Sequence, residues 1–176
     1  MPRLFAAIRP PLAVMDALID TMEAVENARW QDEEQLHVTL SFLGEVQERA
    51  VGDVVDVLSR IAFAPFDLTI AGTSHFERKG RVHSIWAGIE RSEPLMALQK
   101  QVDRACRSLG LDIERRKYLP HVTLARFSRP SPDIPAWLAR HAKLRCDPFT
   151  VDQFALFESH LSSGPAQYEE LARFPG

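Results

Sequence analysis

Leu36-His37-Val38-Thr39-Leu40 and Pro120-His121-Val122-Thr123-Leu124 decide how this chain is read, because the tetrapeptide His-Val-Thr-Leu stands once in each half. In an extended strand, side chains alternate between faces, so positions two apart share a face. His37 and Thr39 then point one way, and Val38 and Leu40 point the other, into a core. His121 and Thr123 repeat the arrangement. Each copy presents an imidazole and a hydroxyl roughly 7 Å apart along its strand. Two such strands side by side make a cleft on which an acid, a base and two hydroxyl donors converge.

The regions around the two copies read as alternating helices and strands. Leu4 to Ile8 is a buried strand closed by Arg9-Pro10-Pro11. A helix follows from about Pro11, carries Met15, Leu18, Ile19, Met22 and Val25 at helical spacing, and ends at Asn27. The first histidine strand covers Leu36 to Leu43 and stops at Gly44. A second helix, from about Gln47 to Ala62, shows a stripe of Val51, Val54, Val55, Leu58 and Ile61. Phe66 to Ala71 and Val82 to Ile89 form a hairpin whose long tip is the charged turn Glu77-Arg78-Lys79-Gly80-Arg81.

A third helix begins near Glu93-Pro94, with Leu95, Leu98, Val102, Cys106 and Leu109 on one face and Gly110 as a C-terminal cap. The second histidine strand covers Pro120 to Phe127. Three prolines between Pro130 and Pro135 make a loop, and a short helix around Ala136 to His141 follows. Phe149 to Glu158 and Gln167 to Phe174 close the chain as strands joined across Ser162-Ser163-Gly164-Pro165. This order is an approximate doubling.

The bulk properties narrow the chemistry. Apolar residues make up 45% of the 176 and charged residues 26%, ordinary for a soluble globular protein. The net charge of −3 lacks the positive excess of proteins that grip long nucleic-acid duplexes, so any nucleic-acid role involves a small feature such as a terminus. Cys106 and Cys146 have no paired or metal-like spacing and read as free thiols in a reducing compartment. The apolar run Leu4 to Ile8 is too short for a signal peptide, and nothing approaches the ~18 apolar residues of a membrane span. A cytoplasmic location is expected.

No His-Glu-x-x-His, Cys-x-x-Cys, nucleophile elbow or phosphate-binding glycine loop is present. Asp32-Glu33-Glu34, just ahead of His37, reads as a solvated turn. What remains is acid–base chemistry by imidazoles. With an unperturbed pKa near 6.5, one ring can take a proton from water while another gives one to a leaving oxygen. Threonine hydroxyls can hold the oxygens whose charge the transition state redistributes. Cleavage of a strained cyclic phosphodiester fits. The pattern leaves open which histidine plays which part.

The paired His-x-Thr-x motifs resemble the 2H phosphoesterase superfamily, in particular its LigT-like branch of RNA 2′,3′-cyclic phosphodiesterases, also called RNA 2′,5′-ligases. The likeness extends from Arg3-Leu4-Phe5-Ala6-Ala7-Ile8 and Arg29-Trp30, through Arg115-Arg116 and Ala125-Arg126, to Phe154-Ala155-Leu156-Phe157-Glu158-Ser159 and Tyr168-Glu169-Glu170-Leu171. It implies an α+β fold: two pseudo-symmetric lobes whose antiparallel sheets flank a central cleft, with helices outside. Residues 1–176 would form one such domain of two intertwined lobes. The resemblance implies hydrolysis of RNA 2′,3′-cyclic phosphate ends to 2′-phosphates, with His37 as proton donor to the 3′-oxygen and His121 as acceptor from water. Thr39 and Thr123 would hold the phosphate. It also allows 2′-5′ ligation by the reverse chemistry, and implies no cofactor, no metal and a monomer.

Arg126 lies five residues after His121, where a regular strand turns it away from the cleft unless a bulge re-aims it. The family pattern makes it a substrate-binding candidate, alongside Phe42 and Phe76. Phe42, at the same odd offset from His37, reads by alternation as core. Trp30, Phe76 and Trp86 could stack on a base, although packing is the plainer reading of each. His75, His83, His141 and His160 read as surface or structural. The basic groups Arg78, Lys79, Arg81, Arg115, Arg116 and Lys117 are solvated turns or a local attraction for an RNA end. Two rival activities use the same fold: a phosphodiesterase for small cyclic nucleotides, and a non-catalytic RNA- or nucleotide-binding module.

Overall fold

The structure is a computed structural model that describes residues 1–161 and 164–176. Strands β1 (Arg3–Ile8), β3 (Val38–Glu45), β9 (Gln153–His160) and β10 (Gln167–Pro175) make an antiparallel sheet in the order β10-β9-β1-β3. A second sheet has the order β2-β7-β6-β5, from β2 (Arg29–Trp30), β7 (His121–Arg126), β6 (Arg81–Ile89) and β5 (Ile70–Arg78). A two-stranded ribbon pairs β4 (Phe66–Leu68) with β8 (Phe149–Val151). The helices are α1 (Leu12–Ile19), α2 (Glu48–Ser59), α3 (Glu93–Arg107) and α4 (Ile134–Arg140). The fold is α+β with antiparallel sheets, as the family resemblance implied.

Each motif strand is placed by its apolar neighbours. Val38, Leu40, Val122 and Leu124 are buried in one continuous core that α3 shares through Leu95, Leu98, Val102 and Cys106. Burying those side chains, at roughly 1.5–3 kcal/mol each, commits the alternate residues His37, Thr39, His121 and Thr123 to the other face. β3 is the edge strand of its sheet, and its free side comes against β7 and α3. Cys106 and Cys146 are buried free thiols.

Several elements differ from the sequence-based expectation. The first helix stops at Ile19, well before Asn27: Thr21 Oγ1 turns back to the Leu18 carbonyl at 2.7 Å, and Ala24 and Asn27 take positive φ. Val25 is buried from the loop that follows. The second helix ends at Ser59 rather than Ala62. Leu109 lies beyond α3 and is exposed, while Gly110, at φ 83°, follows as the left-handed turn residue.

The hairpin is tighter than the charge pattern suggested. β5 and β6 pair as far as Arg78 and Arg81, and Lys79-Gly80 with φ of 53° and 75° closes a two-residue turn, the geometry that matches strand twist. The closing strand is interrupted at Asp152, giving β8 and β9. β2 is too short for a periodicity to reveal. Of the expected connection Ser162-Ser163-Gly164-Pro165, Ser162 and Ser163 lie outside the described residues. No helix among the described residues is long and apolar enough to cross a membrane.

Candidate active site

His37 ends the turn before β3, and His121 opens β7. Both rings are anchored in the same way: Nδ1 of His37 donates to the Gln35 carbonyl at 2.6 Å, and Nδ1 of His121 to the Leu119 carbonyl at 2.7 Å. A carbonyl can only accept, so the proton of each neutral ring sits on Nδ1 and Nε2 is left for a substrate. The turn before His37 is itself fixed. Asp32 and Gln35 form a reciprocal cap at 3.0 Å on each side, and Arg9 donates to the Glu33 and Glu34 carbonyls. Asp32-Glu33-Glu34 is exposed, as expected.

Aromatic rings pack each imidazole. Phe5 and Tyr168 lie against His37, with ring centres at 4.9 and 5.5 Å. Phe76 and Trp86 lie against His121 at 5.0 and 5.3 Å. Burial lowers the pKa of both histidines, to about 4 for His37, and the charge of Arg126 lowers both further. His37 also feels Arg9 and the charge of His121 itself, so the two imidazoles and Arg126 share one electrostatic neighbourhood. In the free protein both rings are neutral at pH 7.

Arg126 reaches that neighbourhood because β7 is bulged. Trp86 pairs with Thr123, but Ile85 pairs with Ala125, which leaves Leu124 as an extra residue. Ser84 and Trp86 are two apart on β6 and share a face, so their partners Arg126 and Thr123 share it too. The first motif contains the same device. Ala7 pairs with Thr39 and Ala6 with Ser41, leaving Leu40 extra, while Phe5 pairs with Phe42.

Phe42 therefore stands on the histidine face beside Phe5, at 6.0 Å between ring centres, and is 63% exposed. Its alternation-based assignment to the core is wrong because one bulge reverses the parity of every residue after it. Phe42 and Arg126 occupy corresponding positions in the two halves.

The remaining candidates divide. Phe76 lines the cleft together with Thr39, Phe42 and His121. Trp86 is 8% exposed and forms the floor under His121. Trp30 packs on Trp137, away from the imidazoles. His83 stacks on Phe76 at 6.1 Å, and His141 packs at a tilt against Trp137 at 5.0 Å. His75 meets Glu77, and His160 lies between Glu158 and Glu169.

Tyr118 went unnoticed in the sequence. Its Oη donates to the Thr39 carbonyl at 2.6 Å, tying the approach to the second motif onto the first, and burial raises its pKa. A tyrosine three residues before a motif histidine is the only sequence signal for it. Phe5 and Tyr168 carry no sequence signal beyond their strands, because their contacts with His37 arise from sheet pairing.

Comparison with known proteins places the chain in a family and matches its fold. The model of the 2′-5′ RNA ligase superfamily matches residues 10–162. A Geobacillus stearothermophilus protein named RNA 2′,3′-cyclic phosphodiesterase is 29% identical over 158 residues, covering 89% of this chain; the chain spans 50% of that curated relative's length. Among solved structures, TT0787 of Thermus thermophilus superposes with a TM-score of 0.85 at 28% identity, covering 98% of this chain and 97% of the other. E. coli LigT complexed with 3′-AMP superposes with a TM-score of 0.80 at 25% identity, covering 99% and 98%.

Proposed function

Because the chain belongs to the 2′-5′ RNA ligase superfamily, we propose that it hydrolyses RNA ends carrying a 2′,3′-cyclic phosphate, the activity for which its relatives are named. The observation that carries this reading is the matched pair of imidazoles, each fixed through Nδ1 and each offering Nε2.

His121 Nε2 takes a proton from water as the water oxygen attacks phosphorus. The P–O3′ bond breaks, His37 Nε2 gives its proton to the departing 3′-oxygen, and a 2′-phosphate remains. The two rings have then exchanged protonation states, and exchange with solvent resets them. Thr39, Thr123 and Arg126 hold the non-bridging oxygens. The bound phosphate supplies the negative charge that His37 lacks in the free protein. It offsets the desolvation and the Arg126 charge that keep this ring neutral, so the acid is loaded when substrate is present.

Residues 1–176 act as one domain in this reading, since the buried core runs without a break from β1 to Phe174. Both imidazoles come from one chain, so a monomer suffices. A second reading is that small cyclic nucleotides are also hydrolysed; E. coli LigT has been solved with the linear mononucleotide 3′-AMP.

The test is hydrolysis of a short RNA ending in a 2′,3′-cyclic phosphate, in EDTA, with products resolved as 2′- or 3′-phosphate. A 2′-phosphate formed in EDTA and lost in His37→Ala and His121→Ala is expected. Turnover abolished by EDTA would overturn the two-imidazole mechanism. Tight binding without turnover would make the chain a binding module.

A further inference from the structure

Each motif histidine gives its Nδ1 proton to the carbonyl two residues before it, yet the two carbonyls are held by different means. In the second half the intervening residue is Pro120. Its ring fixes φ at about −65° and confines Leu119 to extended backbone, so covalent structure aims the Leu119 carbonyl. In the first half Leu36 takes that place, at φ −70° and ψ 121°. That is a proline's φ on a residue with no ring to enforce it. The Gln35 carbonyl needs another restraint to stay turned toward His37.

The Gln35 side chain is placed to supply it. Gln35 is only 8% exposed, and its amide is bonded at both ends. Oε1 accepts from the Asp32 N–H at 3.0 Å, and Nε2 donates to the Ala166 carbonyl at 2.8 Å. The Gln35 N–H is held in turn by Asp32 Oδ1 at 3.0 Å. A buried amide paired at both ends resists rotation, because any turn leaves a polar group unbonded. The bond to Ala166 also reaches the lead into β10, where Tyr168, two residues on, stands edge-on to the His37 ring. One amide thus ties the carbonyl behind the imidazole to the aromatic beside it. Leu119, the counterpart of Gln35, is apolar and half-exposed and makes no such bonds.

We infer that Gln35 is a positioning residue for His37: its side chain fixes the carbonyl that keeps a proton on Nδ1, so that Nε2 is the nitrogen facing the departing 3′-oxygen. The inference rests on the reading above in which His37 gives its proton to that oxygen. Without the two amide bonds the carbonyl turns from the ring, and the imidazole is free to carry its proton on Nε2 or to rotate. A displacement of about 1 Å at a reacting group can cost about 10²-fold in rate.

Gln35→Met keeps the length of the side chain and removes both bonds. With a short RNA ending in a 2′,3′-cyclic phosphate, kcat should fall about ten- to a hundredfold, with KM nearly unchanged. Gln35→Glu retains the bond from the Asp32 N–H and loses the one to Ala166, and should show a smaller loss. In a His37→Ala background, Gln35→Met should lower kcat no further, since no ring remains to be positioned. An equal loss in both backgrounds would mean that Gln35 only supports the fold, and would overturn the inference, as would an unchanged kcat in Gln35→Met.

A second readout needs no substrate. Imidazole nitrogen shifts at pH 7 should show native His37 in one tautomer, with its proton on Nδ1. In Gln35→Met the Nε2–H tautomer should appear at His37, while His121 keeps its Nδ1–H signal and reports an intact fold. An unchanged His37 tautomer would overturn the inference. A native protein that hydrolyses no cyclic phosphate would instead overturn the phosphodiesterase reading, with the tautomer still reporting whether Gln35 holds the ring.

Discussion

His37 stands against Phe5 and Tyr168, whereas His121 stands against Phe76 and Trp86. Behind each ring the backbone is alike: the same carbonyl two residues earlier, the same threonine two residues later, the same bulge at the third residue. Five residues on, the halves part. The first offers the exposed ring of Phe42 and the second the guanidinium of Arg126. Repetition thus builds two equivalent nitrogens, and divergence around them makes one half apolar and the other charged. The larger depression of pKa falls on His37. In the free protein that ordering leaves His37 the less readily protonated ring, so its role as acid depends on the charge of the bound phosphate.

Removing either nitrogen is the largest disturbance to that comparison. His37→Ala and His121→Ala should each lower kcat for a 2′,3′-cyclic phosphate RNA about 10³-fold, within the usual range for one general acid or base. The double variant should be little worse than the worse single one, because neither imidazole works without its partner. A leaving group that needs no proton, such as a 4-nitrophenyl phosphodiester, separates the roles. It should rescue His37→Ala and leave His121→Ala inactive; the reverse outcome would exchange acid and base.

Arg126→Gln tests the charged half, with an expected loss of ten- to a hundredfold in kcat/KM. It should also move the pH profile. The acid and base of the free protein share one proton and both titrate below 6.5, so native kcat/KM should be greatest in the acidic range and decline above it. Arg126 lowers both rings, and without it both limbs of the profile should shift to higher pH. A Gln variant whose limbs stay in place would mean that Arg126 only binds substrate.

Tyr118→Phe removes one hydroxyl from the strut between the halves. The net value of one such bond, about 1 kcal/mol, corresponds to a kcat lower by roughly fivefold. KM should be nearly unchanged, since Tyr118 would act by holding Thr39 in place. A change in KM alone would make it a substrate contact.

The paired histidines and threonines were legible because alternation and repetition are local properties of sequence. Phe42 and Arg126 were not. Their orientation depends on Leu40 and Leu124 being extra residues in β3 and β7, and a bulge is a property of two strands. The same limit explains Phe5, Tyr168 and Tyr118, which reach the site from strands or segments remote in sequence. The α+β architecture was implied by the family resemblance, and the order of elements agrees with it. Helix ends did not, because side-chain and positive-φ stops such as Thr21 and Ala24 end α1 while apolar spacing still continues.

The smallest effect concerns stability, and it again separates the halves. A histidine whose folded pKa lies below its unfolded value binds more protons when unfolded. Stability then grows as pH rises through the interval between the two values, and is lost as pH falls through it. For His37 that interval runs from about 6.5 down to about 4, and its full contribution is at most about 3 kcal/mol. His121 acts in the same direction over a narrower interval. Thermal melts from pH 7 to pH 4 should show Tm falling for the native protein, less steeply for His121→Ala, and least steeply for His37→Ala. Equal slopes for the two variants would mean that the rings are equally desolvated, and that the asymmetry between the halves lies in Arg126 and Phe42 alone.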